Sequence, residues 1–247
     1  MLRVDNVEKS YPHFGLFSKS RQQVLNNISF ECEHGECLGI IGESGSGKST
    51  LGRLILGIEK PDRGTIAFEG KPVEDRKVRS GNLSAVFQDY ASSMNPFYTV
   101  EEVIMEPLRL QKQKQAEGNS QIDLLLYQVG LNPSYRSKYP HELSGGEAQR
   151  VCIARAVCTV PKLIVLDEAI SSLDGPVQFQ VLDLLKSLRS MYNMGYIFIT
   201  HDIQAAAYIC DSLMIIRKGR IEETVKVEQL GDVQSAYARK LLQMVIT

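Results

Sequence analysis

The stretch GESGSGKST at residues 42–50 constrains the fold of this chain more than any other part of its sequence. It fits the pattern G-x-x-x-x-G-K-[ST], whose fixed positions are Gly42, Gly47, Lys48 and Ser49. An apolar run at residues 36–41 predicts a buried strand before it, and the apolar spacing at 51–56 predicts a helix after it. A strand, a glycine-rich loop and a helix in this order predict a phosphate-binding loop in an α/β fold.

The residue types of this loop predict its chemistry. Glycines let the backbone approach phosphates and turn its N–H groups inward, and the start of the next helix adds the positive end of a dipole. We expect Lys48 to reach the β- and γ-phosphates of a nucleotide and Ser49 to bind Mg²⁺. The alternative is a glycine-rich turn before an ordinary helix, which the lysine–serine pair and both flanks disfavour. The expected nucleotide contacts are Gly42, Glu43, Ser44, Gly45, Ser46, Gly47, Lys48, Ser49 and Thr50.

Two adjacent acids follow a second apolar run at residues 163–166. This run predicts a parallel strand, so Asp167 and Glu168 would lie at its carboxyl end, where ligands bind in open α/β sheets. Asp167 would hold Mg²⁺ directly or through water, and Glu168 would orient or deprotonate the attacking water. A charge pair at a helix N-terminus is the alternative. The phosphate-binding loop in the same chain favours the catalytic interpretation.

The stretch LSGGEAQR at residues 143–150 begins a long helical pattern. Ser144 and Glu147 match a capping box, which is a structural explanation for both residues. It does not explain Gly145 and Gly146, because each glycine in a helix costs about 1 kcal/mol relative to alanine. A phosphate bound to the exposed N–H groups of this turn would explain them.

Two further polar residues follow predicted strands. His201 comes after the run at 196–200, and Gln88 comes after the run at 83–87. Both are therefore expected at the carboxyl edge of the sheet, close to Asp167. The other histidines lack this placement and are expected to be solvated: His13, His34 and His141.

In their order, these stretches resemble the nucleotide-binding subunit of an ATP-binding cassette (ABC) transporter, and the resemblance covers nearly the whole chain. It implies an α/β fold, a RecA-like P-loop NTPase core with a small antiparallel β subdomain and an inserted α-helical subdomain. It also implies ATP and Mg²⁺ as cofactors. Tyr11 resembles the aromatic residue that stacks on adenine, although a tyrosine at a strand end more often serves packing. The implied catalytic residues are Lys48, Gln88, Glu168 and the γ-phosphate-sensing His201, the implied Mg²⁺ ligands are Ser49, Gln88 and Asp167, and residues 171–174 form the D-loop.

In this family, the signature stretch of one subunit covers the ATP held by another. The resemblance therefore implies that Ser144, Gly145, Gly146 and Glu147 serve a partner's nucleotide, so that hydrolysis requires a dimer. Three positions depart from the usual pattern without removing a reacting group: Glu147, Ala169 and Ser172. We hypothesise that the charge of Glu147 lies near the partner's nucleotide and slows that site.

The chain is expected to form one ABC ATPase domain over residues 1–247. Residues 1–90 and 159–247 would form the catalytic core, and residues of about 91–158 the helical subdomain with the signature. Within it, helices are predicted at 100–110 and 122–129, with the polar stretch 111–121 between them. A short amphipathic helix is predicted at 236–245.

The composition fits an ATPase at the cytoplasmic face of a membrane. A net charge of -1 with 23% charged residues gives no sign of a nucleic-acid partner. No apolar run approaches the roughly 20 residues needed to span a bilayer, and we expect no signal peptide. Five cysteines without CxxC spacing predict reduced core thiols, and a metal site at Cys32 and Cys37 is disfavoured because they flank a predicted turn.

The resemblance extends to the cargo. Residues 92–100 and an insertion between Tyr11 and Val24 resemble ATPases of the peptide and nickel uptake group, and Ala169 matches the nickel-import type. A C-terminus without the cysteine-containing extension of many peptide-uptake members points the same way. The prediction is the ATPase of an importer for nickel, another metal or a metal chelate of the metal-staphylopine kind. Import of dipeptides or oligopeptides is the alternative.

The implied partners are a second, usually paralogous ATPase, two membrane permease subunits and an extracytoplasmic substrate-binding protein.

Other classes of P-loop protein fit the sequence less well. A cassette ATPase of DNA repair or translation would carry a coiled-coil insertion or tandem cassettes. GTPases and small-molecule kinases have no use for LSGGE, and Glu168 and His201 disfavour a scaffold that does not hydrolyse ATP.

Overall fold

Two β-sheets form the framework of the described residues, which are 1–12, 21–110 and 115–246 of a computed structural model. One sheet is antiparallel with the strand order β2-β1-β4-β5, and the other has the order β10-β9-β3-β8-β7-β6. In the second sheet β9, β3, β8, β7 and β6 run parallel, and β10 pairs antiparallel with β9. The strands are β1 Leu2–Pro12, β2 Arg21–Cys32, β3 Cys37–Ile41, β4 Arg63–Phe68, β5 Lys71–Pro72, β6 Leu83–Phe87, β7 Leu163–Asp167, β8 Gly195–Ile199, β9 Ser212–Arg217 and β10 Arg220–Lys226.

Helices connect and cover these strands. Of the helices in the described part of the chain, none combines the length and apolar character needed to cross a membrane. The α-helices are α1 Lys48–Ile55, α2 Arg76–Arg79, α3 Tyr90–Ser93, α4 Val100–Leu110, α5 Gln115–Gln128, α6 Gly145–Val157, α7 Gly175–Tyr192, α8 Ile203–Ile209 and α9 Ala236–Ile246. Short 3-10 turns occupy Pro133–Ser137, Pro140–Glu142 and Val227–Asp232.

The parallel strands are continuous apolar runs because both faces of their sheet are covered. Every residue of β3 and β8 is buried. Along β7 the side chains alternate: Leu163 and Val165 pack with α1 and the antiparallel sheet, whereas Ile164 and Leu166 pack with α4, α6 and α7. The core therefore lies in two layers, one on each face of this sheet.

Strand register brings the carboxyl ends of the parallel strands to one edge. Asp167 pairs with Phe87 of β6 on one side and with Ile199 of β8 on the other. Ile199 also pairs with Ile40 of β3, two residues before the glycine-rich loop begins at Gly42. The predicted strands before the loop, the acids, Gln88 and His201 are thus confirmed as neighbours.

The helical predictions are confirmed with one correction. The polar stretch at 111–121 was expected to separate two helices, but α5 already begins at Gln115. Gln115, Ala116 and Glu117 are good helix formers, so a largely polar segment can begin this helix. The predicted C-terminal helix is present as Ala236–Ile246. The division into core and helical subdomain stays a prediction, and both His13 and most of the insertion between Tyr11 and Val24 lie outside the described residues.

Candidate active site

The glycine-rich loop joins β3 to α1 through backbone conformations that require glycine. Gly47 has a φ of 103° and a Cβ there would lie 2.8 Å from the carbonyl oxygen of Val24. At Gly42, with a φ of 153°, a Cβ would lie 2.1 Å from the carbonyl oxygen of Ile216. These approaches hold the loop against β2 and β9 and fix where α1 begins.

Lys48 lies inside this loop and is only 5% exposed. Its Nζ donates hydrogen bonds to the carbonyl oxygens of Gly42 at 2.8 Å and Glu43 at 2.9 Å. Burial lowers the pKa of the Lys48 ammonium, and the carboxylates of Glu168 and Asp167 act against that shift. The side chain is therefore a buried cation whose field reaches both acids.

Ser49 connects the loop to the end of β7. Its Oγ donates a hydrogen bond of 3.0 Å to Oδ1 of Asp167. Burial raises the pKa of the Asp167 carboxyl; the Ser49 bond opposes this shift, and nearby Glu168 adds to it. A hydroxyl and a carboxylate this close are the hard oxygen ligands that Mg²⁺ prefers. Gln88 follows Phe87 at the same edge, and its side chain is exposed.

Glu168 has a left-handed backbone with a φ of 49°, although it is not glycine. Its N–H donates to the carbonyl oxygen of Ile199 at 2.9 Å, and the N–H and Oγ of Ser171 both donate to its carbonyl oxygen. Such a conformation costs about 1–3 kcal/mol and persists where neighbouring bonds enforce it. The Glu168 Oε2 lies 3.5 Å from Nδ1 of His201, whose side chain is 62% exposed. This pair can therefore flank a small ligand at the edge of the sheet.

A cavity of about 390 Å³ opens over the loop. Ser46 in the loop is only 4% exposed, and its Oγ has no hydrogen-bond partner within the described residues. The cavity is lined by Tyr11, Gln22, Val24, Ser44, Gly45, Gly47, Lys48, Ser49, Thr50, Arg53 and Glu168.

Tyr11 is fixed on the cavity wall by its hydroxyl. The hydroxyl donates to Oε2 of Glu59 at 2.5 Å, and Oε1 of Glu59 accepts from Nε of Arg53 at 2.6 Å. Arg53 also donates to Oγ1 of Thr50 at 3.2 Å, which ties this group to the glycine-rich loop. The ring is thus held where a flat base could stack on it.

The signature residues line a different cavity, of about 460 Å³. The predicted capping box is confirmed: Ser144 Oγ accepts from the N–H of Glu147, and Glu147 Oε2 accepts from the N–H of Ser144. Packing also constrains the glycines, since a Cβ on Gly145 would lie 2.8 Å from the Tyr90 hydroxyl. This second cavity is lined by Ser144, Gly145, Gly146, Glu147, Arg150, Ser172, Leu173, Asp174 and Val177.

The sequence profile of the family described as "ABC transporter" matches residues 25–171 of this chain. The chain belongs to the ABC transporter family. It is an ATPase of this family, and the expected P-loop α/β fold is confirmed.

Relatives match along almost the whole chain. The metal-staphylopine import system ATP-binding protein CntF of Staphylococcus aureus is 50% identical over 98% of this chain and 98% of its own length. The nickel import ATP-binding protein NikE of Rhodospirillum rubrum is 41% identical over 100% of this chain and 91% of its own length. A dimeric post-hydrolysis structure of the ATP-binding cassette MJ0796 bound to ADP and Pi superposes with a TM-score of 0.82 at 28% identity, covering 92% of this chain and 99% of that one.

The fold of this ABC ATPase adds three residues to the cavity that sequence reasoning missed. Arg53 had a detectable signal, because it lies one turn after Ser49 and Thr50 on the predicted helix and so shares their face. No sequence signal pointed to Gln22 or Val24, because only the pairing of β1 with β2 places them beside Tyr11.

The cysteines, His34 and His141 of this ABC ATPase are not among the residues that line the nucleotide cavity. All five cysteines are buried and free, and the Sγ atoms of Cys37 and Cys210 are 3.5 Å apart. No group of three or more candidate metal ligands occurs in the described ranges. His34 and His141 are exposed, as predicted.

Proposed function

We propose that this chain is the ATP-binding and hydrolysing subunit of an importer for a metal ion or a metal chelate. The 50% identity to a metal-staphylopine import protein over 98% of both chains is the observation that supports the cargo. The bond between Ser49 and Asp167 beside the buried Lys48 supports the hydrolytic role. In this proposal the metal or chelate is cargo, which a binding protein and a permease would select.

ATP would occupy the cavity over the glycine-rich loop. Its adenine would stack on Tyr11, and its phosphates would bind the N–H groups of the glycine-rich loop. Lys48 would exchange its bonds to the Gly42 and Glu43 carbonyls for bonds to the β- and γ-phosphate oxygens. The attraction between the buried ammonium and these phosphate oxygens is stronger than it would be in water, because the site is partly desolvated.

The residues at the edge of the sheet fit Mg²⁺. Ser49, Asp167 and the amide oxygen of Gln88 are the groups that would hold it. When bound, the ion would neutralise charge on the phosphate oxygens.

Glu168 would orient the attacking water and accept its proton. The hydrogen bonds of its backbone to Ile199 and Ser171 fix the main chain from which the carboxylate projects at the end of β7. His201, 3.5 Å away, would bind the γ-phosphate and keep it in line with that water. Catalysis by this set is mostly positioning and electrostatics.

A second ATPase chain is needed to complete the site. The two cavities have no lining residue in common, which supports a role of Ser144, Gly145, Gly146 and Glu147 at the ATP of another subunit. Each signature would cover the nucleotide of a partner, and the MJ0796 cassette was solved as a dimer. The dimer, of identical or paralogous chains, would work with two permease subunits and an extracytoplasmic binding protein at the cytoplasmic face of the membrane.

The intact complex tests this proposal. We expect its ATPase activity to rise when the binding protein is loaded with Ni²⁺ or with a metal chelate, and to stay basal when the binding protein is offered peptides. A complex carrying Glu168→Gln controls for contaminating ATPases. Stimulation by peptides alone would replace the metal assignment with peptide import.

A further inference from the structure

Both carboxylate oxygens of Glu147 have partners within their own subunit. Oε2 accepts from the N–H of Ser144 at 2.8 Å, as the capping box requires. Oε1 accepts from the hydroxyl of Tyr135 at 2.5 Å, a bond that no sequence pattern predicted. The carboxylate is therefore turned back onto the cap of α6.

A separate element supplies Tyr135. It lies in the 3-10 turn Pro133–Ser137, whose first turn is capped by the side chain of Asn132. Arg136 in the same turn pairs with Glu101 of α4 at 2.8 Å and with Asp123 of α5 at 3.0 Å. These bonds fix the turn to two helices, so the hydroxyl position does not depend on α6.

The surroundings of Glu147 offset its charge. The bond from Tyr135 is the largest cause of the lowered pKa of the Glu147 carboxyl, and Lys138 contributes to it. Nζ of Lys138 also lies 3.6 Å from the centroid of the Tyr135 ring. Glu147 is therefore ionised at neutral pH, and a free carboxylate here would repel an anion at the start of α6.

We propose that Tyr135 is a positioning residue for the signature: it holds the Glu147 carboxylate on the helix cap, so that Ser144 and the N–H groups of Gly145 and Gly146 face the partner's ATP. This proposal rests on the proposed function. It revises the hypothesis that Glu147 slows the partner's site, because the charge is restrained and offset. In this proposal Tyr135 itself contacts neither ATP nor the attacking water.

Tyr135→Phe removes the hydroxyl and keeps the ring. In the intact complex we expect the KM for ATP to rise about two- to fivefold, the range for a charge at a helix end, with little change in kcat. The rise should shrink at high ionic strength, because salt screens the released carboxylate. Tyr127→Phe, at an exposed position on α5, is the matched control and should leave KM unchanged.

The Glu147→Gln background separates positioning from a general structural effect. Glutamine carries no charge to restrain, so adding Tyr135→Phe there should produce no further rise in KM. An unchanged KM in Tyr135→Phe, or an equal rise in both backgrounds, would overturn the proposal. If the unsubstituted complex hydrolyses no ATP, the proposed function fails as well; if it is active and the two substitutions act independently, only this inference fails.

Discussion

At the residue scale, the backbone conformation of Glu168 allows the adjacent acids Asp167 and Glu168 to face the same site. Neighbouring residues of a strand point to opposite faces of the sheet. The left-handed φ of 49° at Glu168 breaks this alternation, and both carboxylates lie near enough to act on the pKa of Lys48. The motif predicted the pair of acids, but the change of direction between them depends on bonds to Ile199 and Ser171.

Glu168→Gln keeps the size and shape of the side chain but removes its basicity. We expect ATP binding to be retained and turnover to fall by about two to four orders of magnitude, the usual contribution of a general base. Fluorescent-nucleotide titration and phosphate release measure the two effects. Glu33→Gln, in the exposed turn between β2 and β3, should change neither. Substantial phosphate release by Glu168→Gln would remove the assigned role.

The anchored ring of Tyr11 gives a second prediction. Tyr11→Ala should lose about 1–3 kcal/mol of ATP binding free energy, the range for stacking of a base on an aromatic ring. Tyr11→Phe keeps the ring and loses only the hydroxyl with its bonds to Glu59 and Arg53, so the loss of binding free energy should stay at about 1 kcal/mol. Isothermal titration of ATP into the three proteins measures this series. Equal affinities of Tyr11→Ala and the unsubstituted chain would show that the tyrosine serves packing alone.

At the element scale, a carboxylate from the edge strand fixes the start of the last helix. Glu223 of β10 accepts hydrogen bonds from the N–H groups of Gln234 and Ser235, both at 2.9 Å, just before α9. These bonds lower the pKa of the Glu223 carboxyl below its ordinary value of 4.5. The strand pattern gave no reason to assign this role to Glu223, because its partners lie beyond a separate turn.

The lowered pKa of Glu223 has a definite pH signature. Its contribution to stability is fully present above the unfolded pKa and is lost as the pH falls through the lower, folded pKa. Glu223→Gln should therefore reduce the unfolding midpoint at neutral pH, with the difference shrinking below a pH of about 4. Urea unfolding of both proteins across this range measures it. A difference that persists unchanged at the lowest pH would mean that the charge plays no part.

At the scale of the whole molecule, the glycine-rich loop and the signature line two separate cavities with no lining residue in common. In the proposed function, the first cavity holds the ATP of its own chain and the second covers the ATP of a partner. A single chain would then carry two half-sites, each completed by the partner.

This arrangement predicts that binding and hydrolysis can be separated by one substitution. Ser144→Arg fills the signature cavity with a long side chain. The isolated chain should bind ATP with unchanged affinity, whereas the intact complex should lose most of its ATPase activity. A matching loss of ATP affinity in the isolated chain would indicate that the signature acts within its own subunit.

Much of the site could be predicted because its chemistry lies in short motifs with fixed spacing. The glycine-rich loop, the acids after β7, the capping box of α6 and the edge positions of Gln88 and His201 all follow from local patterns. Polarity misled at 115–121, where good helix formers begin α5 instead of forming a linker.

The sequence by itself determined the family of folds, the nucleotide loop and the residues available for catalysis, since hydrophobic period and motif spacing are short-range properties. Only the tertiary structure decided the direction of Glu168, the anchoring of Tyr11 by Glu59 and the restraint of Glu147 by Tyr135. Each depends on a contact between different elements of the fold. Such contacts form only when burial of the core brings those elements together, so no local pattern encodes them.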